Sequence, residues 1–141
     1  MSLTELFNNL GAPLNNNRWS WGAVSPDGVF FLRVWDDEKK KINDKSHVRV
    51  TAYDYFKGKP NDNGWKERLR HLELIKQGAQ SYMVICFAKD VNASPREINT
   101  YSNRMLWKAG NWIEHDGDIW LEIEVAVPVE SLTLEKYHAS P

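Results

Sequence analysis

Cysteine is nearly absent from this sequence. Cys86 is the only one among 141 residues, so no internal disulfide can form. It lies in an almost wholly apolar run, residues 81–88, where a buried, small, apolar side chain is expected. No apolar run approaches the roughly 18 residues of a membrane span, and the first residues lack the basic and apolar regions of a signal peptide. We therefore expect a cytoplasmic protein without a membrane partner.

The motifs of metal and nucleotide chemistry are missing as well. The histidines are His47, His71, His115 and His138. Their spacing does not match that of metal ligands, and one cysteine cannot complete a site with them. The segment Lys57-Gly58-Lys59 is not a Walker-type loop, and no glycine-rich fingerprint follows a predicted strand. We expect no cofactor and no metal.

Carboxylates near the end of the chain are the candidates for acid–base or magnesium chemistry. They are Glu114, Asp116, Asp118, Glu122 and Glu124. Glu122 and Glu124 lack the lysine two residues later that completes the usual nuclease triplet, and Asp116 and Asp118 are typical of a turn. We identify no catalytic residue. An enzyme that uses Glu122 and Glu124, or Cys86 with a histidine, is the alternative hypothesis.

Net charge is close to zero, at −1, which argues against binding nucleic acid through bulk charge alone. The charge is unevenly distributed, however. Residues 33–76 contain 12 basic and 8 acidic side chains, a balance of +4, whereas the rest of the chain contains 6 basic and 11 acidic ones. A mildly basic middle in an acidic frame is compatible with a site for a polyanion.

Tryptophan, in contrast, is abundant: the chain has seven, with five tyrosines and five phenylalanines. Hydrophobic periodicity and turn residues predict the elements around them. The predicted elements are a capped helix over 2–11, strands over 18–24 and 29–35 joined by a tight turn, a charged connection over 36–41, a strand over 46–53, a helix over 65–77, a buried strand over 82–88, a helical turn over 94–97, short strands over 104–108 and 111–115, and a strand over 118–125.

One domain over residues 1–141 follows from this pattern. It has a short N-terminal helix (2–11), a core of sheet and helix (18–127) and a loosely tied C-terminal tail (128–141), in which Val129, Leu132 and Leu134 are the residues that could dock. The predicted fold class is α+β: a strongly curved, mixed, mainly antiparallel sheet, or a small β-barrel, with two or three flanking helices.

Strand alternation places aromatic and basic side chains on one side of the predicted sheet. The members of this set are Trp19, Trp21, Arg33, Trp35, Arg49 and Tyr53. The other side is already apolar, with Phe30, Leu32, Val34, Val48 and Val50. Aromatic faces stack on bases, and arginine binds phosphate or guanine edges. Arg68 and Arg70 are expected to be outlying phosphate contacts. The alternative is that half of the aromatics form the core and the arginines extend outward.

A resemblance to a known family rests on five segments. They are residues 18–23 (RWSWGA), 27–35 (DGVFFLRVW), 67–75 (ERLRHLELI), 82–86 (YMVIC) and 117–122 (GDIWLE). In these segments the chain resembles a poorly characterised bacterial domain family whose members occur alone or beside HNH-type nuclease domains. Strand order and aromatic density also resemble the PUA-like group, which includes the EVE and YTH readers. That group implies a curved barrel that binds modified bases in an aromatic cage.

The functional hypothesis is therefore a nucleic-acid-binding module, a reader of modified bases in its most specific form. Its expected partners are DNA or RNA, and a nuclease, because the chain has no HNH motif of its own and would read rather than cut. A protein-interaction domain or homodimer that uses the exposed tryptophans is the third hypothesis, since exposed aromatics also mark protein interfaces.

Overall fold

A computed structural model describes residues 2–133 of the protein. In this part of the chain seven strands form one mixed sheet in the order β1-β2-β5-β6-β7-β4-β3. The strands are β1 (Gly22–Val24), β2 (Phe30–Trp35), β3 (Lys39–Ile42), β4 (Lys45–Arg49), β5 (Ser81–Ala88), β6 (Ile98–His115) and β7 (Asp118–Pro128). Within residues 2–133, only the pairing of β2 with β5 is parallel. The predicted α+β class with a mixed, mainly antiparallel sheet is confirmed.

Short helices accompany the sheet. They are α1 (Leu3–Asn9), α2 (Tyr53–Phe56), α3 (Asn63–Lys76) and a 3-10 turn over Asp36–Glu38, and residues 129–133 are also helical. The Ser2 hydroxyl accepts a hydrogen bond from the Glu5 amide at the start of α1, which is the capping contact that the sequence predicts. Among residues 2–133, no helix has the length and apolar character needed to cross a bilayer.

Two apolar clusters cover opposite faces of the sheet. The first packs α1 against β2, β5 and β6 through residues such as Phe7, Phe31 and Val84. The second packs α3 against the other face and contains the predicted apolar side: Phe30, Leu32, Val34, Val48 and Val50. Strand β5 contributes to both clusters, as expected for a strand that is buried on both faces.

The sheet is curved but open. β2 and β4 come within 8 Å between Cα atoms, although three strands separate them in the sheet. No backbone pairing joins β2 and β4 in the described part of the chain, and β1 and β3 are the edges. The barrel alternative is therefore not confirmed. A break remains between β2 and β4, and it lies beside the candidate site.

Several predicted elements are corrected by the structure. The strand over 46–53 ends at Arg49, and Tyr53 begins α2 instead. The charged connection over 36–41 includes strand β3, which pairs with β4 through a turn at Asn43 and Asp44. Charged side chains are tolerated in β3 because it is an exposed edge strand.

Two further corrections concern the second half of the chain. Residues 94–97 form a bend rather than a helical turn. The two short strands over 104–108 and 111–115 are parts of one long strand, β6, in which irregularities in register break the alternation. At the C-terminal end Val129 is buried in the first cluster, with Leu132 packed against it. Residues 134–141, including Leu134, lie outside the described residues.

Candidate functional site

A pocket with a volume of about 520 Å³ opens at the break between β2 and β4. The buried residues that line it are Val34, Val50, Thr51, Arg68 and Cys86. Together with the half-buried Arg33, they are here called the floor. The half-buried residues, here called the wall, are Trp19, Trp21, Trp35, Glu38, Arg49, Ala52, Phe56, Ala93, Arg96 and Ile98. The exposed residues, here called the rim, are Arg18, Tyr55, Lys59, Asp62, Ser94 and Pro95.

Arg68 fills the break in the sheet. This side chain extends from α3, is only 5% exposed, and donates to three backbone carbonyls. Its guanidinium lies 2.8 Å from Val50 O, 3.2 Å from Trp21 O and 2.6 Å from Arg33 O. The segments of Trp21 and Arg33 pair with each other through the 2.7 Å bond from Arg33 N to Trp21 O, whereas Val50 follows β4 on the other side of the break. Arg68 thus supplies donors where a closed barrel would have supplied strand amides.

Both floor arginines lack a carboxylate partner within residues 2–133. Arg33 donates from Nη1 to Ser20 O at 3.0 Å and lies against the thiol of Cys86. The Nε atom of Arg68 is buried without any acceptor. Burial, together with the neighbouring Arg33 charge, lowers the pKa of Arg68 to about 10, so it remains protonated at neutral pH. The floor therefore carries two adjacent positive charges that are not neutralised by an ion pair.

The acid next to Arg68 in sequence does not provide that ion pair. Glu67 is buried and its Oε2 accepts from the Ser20 hydroxyl at 3.1 Å. Its other oxygen, Oε1, has no hydrogen-bond partner among the described residues. Glu67 lies outside the pocket lining and makes no ion pair within 4.0 Å in the described part of the chain.

The wall arginines, Arg49 and Arg96, are in the opposite situation. Arg49 Nε lies 2.5 Å from Glu38 Oε2, and its Nη1 lies 3.4 Å from Asp118 Oδ2. The pKa of Arg49 is raised, chiefly by its hydrogen bond to the Glu38 carboxylate. Arg96 makes two bonds of 2.8 Å to the carboxylate of Asp37. These ion pairs connect the 3-10 turn to β4 and to the loop before β6.

The pocket lining has a positive balance even though the whole chain does not. Six basic residues and two acidic ones line it, a balance of +4, against −1 for the chain. Of the two acids, Glu38 is bonded to Arg49, and Asp62 caps α3 by accepting from the Trp65 amide at 3.0 Å. Four of the six basic residues come from the segment 33–76, and Arg18 and Arg96 come from outside it.

Aromatic packing fixes the wall on the α3 side. The Trp21 ring lies 5.1 Å from Phe56, which stacks on Trp65 at 4.7 Å. Gly64 permits this packing, because a Cβ at this position would lie 2.3 Å from Trp21 Nε1 and 2.7 Å from Trp19 O. Residue 64 has to be glycine for the turn that carries both tryptophans to approach the helix so closely.

Trp35 and Trp19 differ in whether another side chain of the protein already packs on the ring. The Arg96 guanidinium lies over the Trp35 ring at 5.3 Å from its centroid. No ring or cation of the described residues packs on Trp19, which stands half-buried in the turn before β1. Trp19 is therefore the pocket tryptophan that is best placed to stack on a ligand.

Six of the eight residues predicted as a binding face line the pocket. They are Trp19, Trp21, Arg33, Trp35, Arg49 and Arg68. They do not form one face of the sheet, because Trp19 and Trp21 precede β1 and successive residues of β2, from both of its faces, reach the cavity.

The remaining two predicted residues lie elsewhere. Tyr53 packs edge-on against Trp65 at 5.1 Å and is outside the pocket lining, because the strand expected to present it ends before it. Arg70 is exposed on α3, also outside the lining. Arg68, expected to be an outlying contact, is buried in the floor instead, since its position one turn after Trp65 faces inward.

Sequence reasoning missed other lining residues. They are Arg18, Glu38, Tyr55, Phe56, Lys59 and Arg96, among others. The three aromatic residues within 53–56 are the signal in the sequence that could have indicated α2. This helix brings Tyr55 and Phe56 to the opening. Lys59 donates to the Tyr55 hydroxyl at 3.0 Å and lowers the pKa of Tyr55. Nothing in the local sequence indicates that Arg96 reaches the pocket.

Each of the two carboxylates proposed for an enzyme is paired with a lysine: Glu122 with Lys45 at 3.6 Å and Glu124 with Lys108 at 4.0 Å. Cys86 is 1% exposed, and burial raises the pKa of its thiol, which disfavours the thiolate. Asp118 accepts from the Thr51 hydroxyl at 2.6 Å and from the Tyr53 amide at 3.0 Å, so its role is structural. Within the described residues, no group of three or more histidine, cysteine or carboxylate side chains could hold a metal ion.

Comparison with known proteins found no matching family model, no similar curated protein and no similar solved structure.

Proposed function

We propose that the protein binds nucleic acid by taking one unpaired nucleotide into the pocket, as a recognition module. The observation that carries this proposal is the joint presence of three tryptophans and two arginines without carboxylate partners in one cavity of about 520 Å³. This volume falls within the roughly 300–1,000 Å³ of small-molecule sites. Stacking on tryptophan and hydrogen bonding by arginine are the two interactions through which proteins hold unpaired nucleotides.

The charge distribution supports recognition of a small part of a strand rather than of a long backbone. A protein that follows many phosphates carries an extended basic surface, whereas this chain has a net charge of −1. Its positive balance lies at the pocket. We therefore expect binding with a shallow dependence on salt, dominated by stacking and by a few charged hydrogen bonds.

Further elements of the proposal come from the sequence resemblances. A PUA-like reader would hold a modified base in an aromatic cage, and three tryptophans in one pocket fit that expectation. The expected setting is the cytoplasm. A nuclease partner would supply the cleavage that the chain has no motif to perform.

Oligonucleotide binding tests the proposal. Fluorescent single-stranded DNA, single-stranded RNA and duplex DNA, each with and without modified cytosine, are titrated with the protein at several salt concentrations. We expect single strands to bind more tightly than duplexes, because an unpaired nucleotide needs no unstacking. Light scattering on the same samples shows whether a second copy of the chain takes part.

The matched variants are Trp19→Leu in the wall and Trp112→Leu outside the pocket lining. Trp19→Leu is expected to weaken binding by about 1–3 kcal/mol, the contribution of one stacked base. Trp112→Leu should bind as the unaltered protein does, with folding of both variants checked by urea titration. Absence of binding to every oligonucleotide at low salt, or equal binding by the two variants, would overturn the proposal.

A further inference from the structure

The charges of the two floor arginines are not neutralised by an ion pair within residues 2–133. Buried charges in proteins are normally paired, because removing them from water is expensive. Arg33 and Arg68 are adjacent and like-charged, and neither makes an ion pair within 4.0 Å among residues 2–133, although the buried Glu67 carboxylate attracts Arg68 from a longer distance. Their backbone acceptors satisfy some N–H groups but carry no full negative charge. The missing counter-charge is therefore expected from a ligand.

Free donors at the floor agree with this expectation. A guanidinium has five N–H groups, yet among the described residues that of Arg33 donates to a single oxygen, Ser20 O, and otherwise contacts the Cys86 thiol. The buried Nε of Arg68 has no acceptor. Charged oxygens with several lone pairs, as in phosphate, satisfy such donors better than the neutral edge of a base, since hydrogen bonds between charged groups are roughly twice as strong as neutral ones.

Resting on the proposed function, we infer that the nucleotide enters with its phosphate first, so that the pocket binds the terminal phosphate monoester of a nucleic-acid strand between Arg33 and Arg68. An internal phosphodiester has a chain on both sides, and both would have to leave past the wall. A terminal phosphate has one. It also carries up to two negative charges, which match the two guanidinium groups of the floor.

The upper part of the pocket then contacts the rest of the nucleotide. Trp19 is free to stack on the terminal base, and Tyr55 and Lys59 stand beside the opening. Arg18 is exposed at the rim. It is positioned to contact the next phosphate along the strand. The protein would thus recognise the phosphorylated end of a strand, with less dependence on the identity of the base.

Competition binding separates the ends of a strand from its interior. One single-stranded sequence is prepared with a 5′-phosphate, with a 3′-phosphate, with hydroxyl groups at both ends, and as a closed circle. Each form competes against a labelled 5′-phosphorylated strand. We expect one phosphorylated end to bind at least about tenfold more tightly than the hydroxyl form and the circle, because charge-assisted hydrogen bonds are lost in the latter two. The preferred end, 5′ or 3′, is read from the same data.

Arg33→Gln is the test variant, and Arg70→Gln is its matched control on the exposed side of α3. We expect Arg33→Gln to bind the phosphorylated and hydroxyl forms about equally, and Arg70→Gln to keep the preference for the phosphorylated end. Arg33→Lys, which retains the charge without the planar fork, should lie between them. This conservative variant keeps the test decisive if Arg33→Gln folds poorly.

The outcomes distinguish this inference from the proposed function. Equal binding of the phosphorylated, hydroxyl and circular strands would overturn the phosphate-first inference and leave nucleic-acid binding intact. An unchanged preference in folded Arg33→Gln would also overturn it. Absence of binding by any strand would overturn the proposed function, and the inference with it.

Discussion

The floor and the wall of the pocket use the same residue type in opposite ways. Arg49 and Arg96 in the wall are paired with Glu38, Asp118 and Asp37. Arg33 and Arg68 in the floor have no carboxylate partner in the described part of the chain. The wall arginines therefore join secondary-structure elements through ion pairs, whereas the floor arginines bond to backbone carbonyls and carry a charge that no carboxylate of the described residues neutralises within 4.0 Å. The number of arginines in the sequence does not distinguish these two roles. The positions of the acidic side chains in the fold distinguish them.

Arg68→Met should produce the largest change in stability. It leaves the carbonyls of Trp21, Arg33 and Val50 without this donor. Trp21 O still accepts from Arg33 N, but the loss of the bonds to Val50 O and Arg33 O outweighs the relief of repulsion from Arg33, so we expect the free energy of unfolding to fall by about 3 kcal/mol. Urea titration measures it, with Arg70→Met as the exposed control. Unchanged stability of Arg68→Met would mean that the break in the sheet does not depend on this arginine.

Gly64→Ala should have the next largest effect, because it separates the tryptophan turn from α3. The new Cβ would clash with the backbone oxygen of Trp19, 2.7 Å away, as well as with the Trp21 ring. The expected loss of about 1–2 kcal/mol combines overpacking with a partial gain in helix propensity. Gly58→Ala is the control, since nothing lies within 4 Å of its Cβ position. Equal stability of the two variants would contradict the close approach.

His71 follows Arg68 by three residues on α3, so the two side chains are neighbours on the helix. Burial, then the charges of Arg68 and Arg70, lower the pKa of His71 to about 4 from 6.5. Its Nδ1 is buried without a partner, and its ring packs on Phe30 at 5.0 Å. The residue as a whole is half-buried.

A depressed histidine pKa makes the folded state less stable in acid. The folded protein binds fewer protons at His71 than the unfolded chain, so this contribution is complete above pH 6.5 and is lost as the pH falls from 6.5 towards 4. Allowing for solvent around the partly exposed ring, we expect a loss of about 1 kcal/mol. Urea titrations at pH 7 and pH 4.5 should show it for the unaltered protein and for His115→Gln. In His71→Phe, the share of this acid-induced loss of stability that is due to His71 should be absent.

Arg96→Gln should change stability least. Its ion pairs with Asp37 and Glu38 lie at the wall, where water weakens them. We expect a loss of about 0.5 kcal/mol, further reduced by salt. Urea titration at low and high salt measures it, with Lys89→Gln as an exposed control whose pair with Glu97 is near the surface. A loss as large as that in Arg68→Met would remove the distinction between floor and wall.

Much of the fold could be predicted because the information is local. The turn at Asp27 and Gly28 joins β1 to β2, the turn at Asp116 and Gly117 joins β6 to β7, and α3 begins and ends within two residues of the expected bounds. Turn glycines with positive φ and a capping aspartate act within a few residues of the chain. Edge strand β3 was missed because its lysines resemble a loop.

The candidate site could be predicted only in part. Strand alternation selected Arg33 and Trp35 in β2, and both line the pocket. The same rule misplaced Tyr53, since a helix begins where the strand was expected to continue. Arg96 reaches Trp35 and Asp37 from the loop between β5 and β6, a contact that spans distant parts of the chain. Periodicity carries no information about such contacts.

By itself the sequence determined a mixed α+β domain core with an apolar side, and an unusual set of tryptophans and arginines, because composition and periodicity depend on neighbours along the chain. Only the tertiary structure decided which arginines are paired. The curvature of the sheet leaves a break between β2 and β4, Arg68 occupies it, and the acids lie at the wall. Those positions follow from how distant segments pack, and they determine where the positive charge remains available.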